Sequence, residues 1–242
     1  MTDKGNPTQP PATAGKTAEV EAFLAKVKAM PTVKPAGGRG RLIFALDATA
    51  SRQPTWDQAC HLQGEMFEAT AAIGGLDVQL VFYRGFKECR ASRWLAAAAE
   101  LHAAMRGVSC VGGTTQIGRI LRHAAKEARS GKVNALVFVG DAMEENVDEL
   151  CQLAGELGLC GVPAFIFHEG NDETAGLAFR QIAKLSGGAY CPFNAGSAQQ
   201  LRELLAAVAV YAAGGRQALL DYGKRKGGAA LLLAGKVGKG NA

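Results

Sequence analysis

The chain has 242 residues, 48% of them hydrophobic, which suits one larger domain with tails better than two full domains. Its apolar stretches are too short to span a bilayer, and residues 1–35 are polar with no apolar run of the signal-peptide kind, so a cytoplasmic address is expected. The net charge of +5 divides into basic ends and a body, residues 41–213, with fifteen basic and eighteen acidic residues, and no aromatic residues interleave with the C-terminal basic run to stack on bases.

The six cysteines (60, 89, 110, 151, 160, 191) and four histidines (61, 102, 123, 168) show neither CxxC pairs nor zinc-ligand spacing. In a chain that is not exported, the cysteines are expected to be small buried thiols.

Residues 1–39 read as a disordered extension, with a short amphipathic helix at about 17–30 marked by Val20, Phe23, Leu24 and Val27. Leu42 to Leu46 is a short apolar run, the mark of a strand buried on both faces. Pro54 and Asp57 introduce a helix reaching about Ile73, with Cys60, Met66, Phe67 and Ala71 facing inward, and Gly74-Gly75 ends it. Val78 to Tyr83 is a second strand. Phe86 to Ser92 follows too closely for a parallel crossover and is expected to return as an antiparallel edge strand. Helices are predicted over 93–105, 116–130, 146–157, 174–186 and 197–213, and strands over 135–139, 164–167 and 189–191. This alternation predicts an α/β fold: a doubly wound, mostly parallel six-stranded sheet with one antiparallel edge strand and helices on both faces, over residues 40–213. Residues 214–242 form a basic, Gly/Lys-rich extension, in which 217–222 extends a helix and Ala230 to Ala234 is an apolar patch.

Three segments carry hard oxygen donors. Asp47, Thr49 and Ser51 follow the first strand at alternate positions, Gly112-Gly113-Thr114 leads into a helix, and Asp141 ends the fourth strand. In a doubly wound sheet, loops at strand carboxyl ends share one edge, where ligands bind. Two carboxylates and three hydroxyls with room for water suit Mg2+, with Mn2+ or Ca2+ as the other hard cations.

These three motifs, in this order on these elements, resemble the metal-ion-dependent adhesion site (MIDAS) of von Willebrand factor A-type (vWA) domains of the bacterial type. Their usual first motif is Asp-x-Ser-x-Ser, and Thr49 keeps the central hydroxyl. The resemblance implies that Thr49 and Ser51 bind the ion directly, that Thr114 binds it directly or through water, and that Asp47 and Asp141 hold waters around it. It further implies that a partner protein supplies an Asp or Glu carboxylate to the open coordination position, and that no enzymatic chemistry takes place. Bacterial members of the family often work beside AAA+ ATPases of the MoxR group, so an adaptor role is expected by resemblance. The family's third loop commonly continues Asp-Gly, whereas here it reads Asp141-Ala142-Met143-Glu144-Glu145. The two glutamates are expected in the first turn of the next helix, where its dipole favours acids. The alternatives place one in the open position or on the rim.

The rival reading is a haloacid-dehalogenase-like Mg2+ phosphohydrolase with Asp47 as nucleophile, Thr114, Lys126 or Lys132, and Asp141 with Glu144 or Glu145. The position of its usual general acid, two residues after the nucleophile, holds Thr49. A dinucleotide site is disfavoured because Gly37, Gly38 and Gly40 precede the first strand, where a Rossmann loop needs them after it. A further reading keeps the fold and gives up the ion.

Overall fold

The computed structural model describes residues 25–26, 39–193 and 198–226. The six strands are β1 Gly40–Asp47, β2 Leu76–Arg84, β3 Glu88–Ala91, β4 Ala135–Gly140, β5 Ala164–Glu169 and β6 Ala189–Phe193. The helices are α1 Gln53–Leu62, α2 Gly64–Thr70, α3 Ala98–Arg106, α4 Ile117–Ser130, α5 Val147–Leu159, α6 Glu173–Leu185 and α7 Ala198–Lys226. The strand order is β3-β2-β1-β4-β5-β6, parallel throughout except for the antiparallel pairing of β3 on β2. The expected α/β architecture is the one observed.

Strand β1 shows why the sheet is covered on both faces. Leu42, Phe44 and Leu46 join one buried cluster with residues of α1, α2, α3 and α7, whereas Ile43 and Ala45 join another with residues of α4, α5 and α6. Alternate side chains of a strand point to opposite faces, so a continuous apolar run needs an apolar layer on each side. Full burial of a side chain such as Phe44 contributes about 1.5–3 kcal/mol, which fixes the strand in place.

Several elements differ from expectation. Residues 93–97 are not helical: Leu95 exchanges two backbone hydrogen bonds with Val78, each 2.8 Å, and buries its side chain, so α3 begins only at Ala98. The helix expected to reach Ile73 is interrupted at Gln63, and Ala71 is exposed instead of facing inward. Of the six free cysteines only Cys60 and Cys191 are buried, and Cys160 is exposed. Helix α7 continues past residue 213 to Lys226 across a break at Gly215, with Leu219 packed into the core. The helix expected at about 17–30 falls outside the described residues except for 25 and 26, which are helical and exposed. The disordered extension expected before it and the apolar patch 230–234 also lie outside them.

Candidate metal centre

The strand order reverses direction between β1 and β4: the chain moves outward from β1 to β2 and β3, then returns to the other side of β1. The crevice outside the carboxyl ends of two such strands is where open α/β sheets bind ligands. Asp47 ends β1 and Asp141 directly follows β4, so these two carboxylates stand on either side of that crevice.

Asp47 is 2% exposed. Its Oδ1 accepts from the Thr49 backbone N–H at 2.7 Å and its Oδ2 from the Tyr83 hydroxyl at 3.0 Å. Tyr83 is the β2 residue in register with Asp47, which explains how a fully buried phenol reaches it. Both donors are uncharged. Burial raises the Asp47 carboxyl above its ordinary pKa, partly offset by the Thr49 and Tyr83 hydrogen bonds, and Asp141 adds to the rise through its charge. Tyr83 is pushed well above the usual phenol range, by burial first and then by Asp47.

Ser51 is exposed in the short 3-10 turn Ala50–Arg52, and its hydroxyl donates to Asp141 Oδ2 at 3.2 Å. Arg52 Nη1 lies 3.5 Å from the same oxygen. The other end of that guanidinium donates to Glu169, at the end of β5, and Glu169 also accepts from the Thr55 hydroxyl. Arg52 is 3% exposed, so this ion pair lies inside the molecule beneath the crevice.

The loop carrying Thr114 is stitched to the same edge through its backbone. Val111 N donates to Ala48 O at 3.0 Å, Gly85 N to Val111 O at 3.4 Å, and Thr114 N to Gly85 O at 3.2 Å. Gly113 is required here: a Cβ on it would lie 2.0 Å from Gly85 O. Thr114 itself is exposed. The neighbouring Cys110 thiol is pushed up to about 11, by burial first and then by the charge of Asp47, which registers how near this loop lies to the β1 end.

Glu144 and Glu145 correct one expectation. Helix α5 starts at Val147 and is capped by Asn146, whose side chain accepts from Glu149 N at 3.0 Å, so neither glutamate lies in its first turn. They serve the preceding helix instead. Glu145 accepts from the backbone N–H groups of Ile117 and Gly118 at the start of α4, and Glu144 accepts from Thr115 N at 3.1 Å while donating its own N–H to the Thr115 hydroxyl at 3.0 Å. An acid does belong at a helix N-terminus, but here that helix comes from across the loop.

The predicted residues therefore gather as two bonded pairs, Asp47 with Thr49 and Ser51 with Asp141, beside a backbone-anchored Thr114. Their donor set fits a hard divalent cation: hydroxyls for direct contact, a buried carboxylate whose hydrogen-bond donors are neutral, and a second carboxylate already bound to one of the hydroxyls. Among the described residues no group of three or more His, Cys, Asp or Glu side chains is arranged to hold a metal. Of the phosphohydrolase constellation, Asp47, Thr114 and Asp141 share this edge, but Lys126 and the two glutamates are not free to join them. Lys126 lies roughly 13 Å along α4 from the end that faces the site, by the rise of an α-helix, and Glu144 and Glu145 are engaged by backbone N–H groups.

Arg52, Tyr83, Thr115 and Glu169 were not identified as site residues from the sequence. Tyr83 and Glu169 each had a signal, a polar group closing an apolar strand, as Asp47 does.

No protein-family model and no curated protein matches the chain. Solved structures do match. The SpRpn10 VWA domain aligns with a TM-score of 0.53 at 14% identity, over 69% of this chain and 94% of that one. Proximal thread matrix protein 1 from the mussel byssus, determined with its MIDAS motif occupied by zinc, aligns at 0.55 and 16% identity, over 73% of this chain and 49% of that one. The pilus adhesin SpaC from Lactobacillus rhamnosus GG aligns at 0.57 and 9% identity, over 80% of this chain and 31% of that one. This chain thus spans nearly all of the first but half or less of the other two. At such identities the likeness bears on the fold, and the fold is that of a von Willebrand factor A-type domain.

Proposed function

We propose that the carboxyl edge of the sheet holds a divalent cation and that the protein is a metal-dependent protein-interaction module. Thr49, Ser51 and Thr114 would contact the ion through their hydroxyls, with Asp47 and Asp141 holding water around it. The observation that carries this reading is the Ser51–Asp141 hydrogen bond, which joins the ends of β1 and β4 across the crevice with hard oxygen atoms. When bound, the cation supplies an electrophilic point that takes a carboxylate oxygen from another protein, because hydroxyl ligands leave much of its charge unneutralised. The chain's own residues position the donors: Tyr83 and the Thr49 N–H orient Asp47, and Arg52 steadies Asp141. Mg2+ is the ion proposed first, with Mn2+ and Ca2+ as alternatives of the same hardness. The adaptor role beside an AAA+ ATPase of the MoxR group is proposed on the resemblance of the motifs alone.

Thermal unfolding in EDTA and in millimolar Mg2+, Mn2+, Ca2+ or Zn2+ tests the ion site. The expected result is a higher midpoint with a divalent cation, lost in Ser51→Ala and in Thr114→Ala while their midpoints in EDTA stay close to wild type. An identical midpoint in EDTA and in every cation would overturn the reading. For the adaptor role, co-purification of the ATPase in Mg2+ but not in EDTA is the expected result.

A further inference from the structure

We propose that the tip of the β2–β3 hairpin forms, with Val111, an apolar anchor beside the cation edge, and that the surface receives an acidic peptide segment with a large apolar side chain a few residues from its carboxylate. This rests on the cation reading and adds the second half of what the partner must carry.

Phe86, at the hairpin tip, is 74% exposed, and Val111, in the loop before Thr114, is 46% exposed. Isolated exposed apolar residues are ordinary on protein surfaces. These two are not isolated, because Gly85 ties them together: its N–H donates to Val111 O, its carbonyl accepts from Thr114 N, and Phe86 is the next residue. Gln116 Nε2 adds hydrogen bonds to Arg84 O and Gly85 O, each 3.2 Å. Of the other exposed large apolar residues, Leu159 and Leu185 lie at the C-terminal ends of α5 and α6, towards the other edge of the sheet. Val147 and Leu177 lie near the starts of those helices, each on a different element.

The anchor is held firmly. Gly113 presses against the Gly85 backbone, and Arg119 Nη1 donates to Lys87 O at 2.6 Å, so both sides of the tip are bound to the body. A backbone fixed before binding loses little conformational entropy on association.

Charge selects the occupant. Lys87, Arg90 and Arg119 are exposed around the tip, with Arg84 at its base, in a body where acidic residues outnumber basic ones. Two acids lie near them: Glu88, shared between Arg84 and Arg90, and Glu145, whose charge reaches Cys89 of β3 but whose carboxylate is taken up by the N–H groups of Ile117 and Gly118. A basic rim around two apolar side chains favours an acidic segment with an apolar residue and disfavours a basic one. The chain's own C-terminus does not qualify, because residues 222–242 contain no Asp or Glu. Glu19, Glu21, Phe23 and Leu24 do have the required composition, and tighter peptide binding in Phe23→Ser would assign the surface to that segment and overturn the external partner.

Selection of a random dodecapeptide phage library on the full chain in Mg2+ is the test, followed by fluorescence polarisation with the enriched peptides. The expected peptides carry Asp or Glu within about four residues of Phe, Leu, Ile or Trp. Their binding should vanish in EDTA and weaken at least about tenfold in the Phe86→Ser/Val111→Ser variant, whose Mg2+-dependent thermal shift is retained. Acidic, Mg2+-requiring peptides that bind the double variant as tightly as wild type would overturn the anchor while leaving the cation reading intact. Apolar peptides that bind equally in EDTA would overturn the cation reading and with it the joint surface. Self-association abolished by Phe86→Ser would assign the tip to a second copy and overturn the proposed partner, as would a selection that enriches nothing.

Discussion

Arg52 and Asp141 meet at the bottom of the crevice, Nη1 3.5 Å from Oδ2, while the far end of the same guanidinium pairs with Glu169. Arg52 is thus a buried cation shared by two strand-end carboxylates. Desolvating such a charge is unfavourable, and it is tolerated because the partners are close on both sides. Removing one partner is worse than removing both. Arg52→Ala is expected to lower stability by about 3–5 kcal/mol, since it leaves Glu169 buried without a counter-charge. Arg52→Met with Glu169→Leu should recover most of that loss. Urea denaturation of Arg52→Met, of Glu169→Leu and of the double variant measures it, and strictly additive losses would show that the pair is not coupled.

Asp47 links stability to pH and to the cation. Its carboxyl is raised above the ordinary 3.8 by burial, so between 3.8 and the raised value the folded chain binds a proton that the unfolded chain has already lost. Stability contributed by this group therefore falls as pH rises through that window and stays lowered above it. Asp47→Asn preserves the shape and can exchange a hydrogen bond with Tyr83, but it has no charge to desolvate. In EDTA at neutral pH the variant is expected to unfold at a higher temperature than wild type, with the difference shrinking as pH falls below the window. In Mg2+ the order should reverse, because only the wild type gains from the ion. Thermal melts across pH with and without Mg2+ check both halves.

The sequence revealed the fold through periodicity. Leu42–Leu46 and Ala135–Val139 are short apolar runs between helical segments, and only a sheet covered on both faces accommodates several of these. It draws attention to Asp47, Ser51 and Asp141 because polar residues at the end of an apolar strand are conspicuous. It did not reveal what lies between them. Arg52 follows Ser51 as an ordinary basic residue, and its pairing with Glu169, 117 positions away, depends on β5 lying next to β4. Glu144 and Glu145 failed for a related reason: helix-dipole physics says that an acid belongs at a helix N-terminus, but the helix nearest in sequence is not the one nearest in space. The 93–97 segment failed because a tertiary contact, Leu95 with Val78, outweighed helical propensity.

Gly112 and Gly113 make a matched pair that tests the loop. A Cβ on Gly113 meets the Gly85 carbonyl oxygen at 2.0 Å, a backbone atom that cannot rotate away, whereas a Cβ on Gly112 meets nothing within 4 Å. Gly113→Ala should force the loop from the hairpin tip and break the Thr114 N–Gly85 O bond, lowering stability by about 1–3 kcal/mol. Gly112→Ala should change it by less than about 0.5 kcal/mol. The Mg2+-dependent thermal shift should be lost in the first variant and kept in the second. Equal effects in both would mean that the loop tolerates displacement and that Thr114 need not be held where it is.

Glu145 closes the N-terminus of α4 from another loop, and that makes it a stability determinant of the whole edge. Its carboxylate accepts from Ile117 N and Gly118 N, two of the N–H groups that a helix start leaves without intrahelical partners. Glu145→Ala removes both acceptors and a negative charge at the positive end of the dipole, with an expected loss of about 1–2 kcal/mol. Glu145→Gln keeps an oxygen acceptor but not the charge, so it should lose less, and the difference between the two variants isolates the charge–dipole part. That part should shrink in high salt only weakly, because Glu145 is half-buried against the helix end. Hydrogen exchange gives the local readout: the first amides of α4 should lose protection in Glu145→Ala while those near Ser130 keep theirs. Uniform loss along the helix would mean that Glu145 supports α4 through global stability and not through its cap.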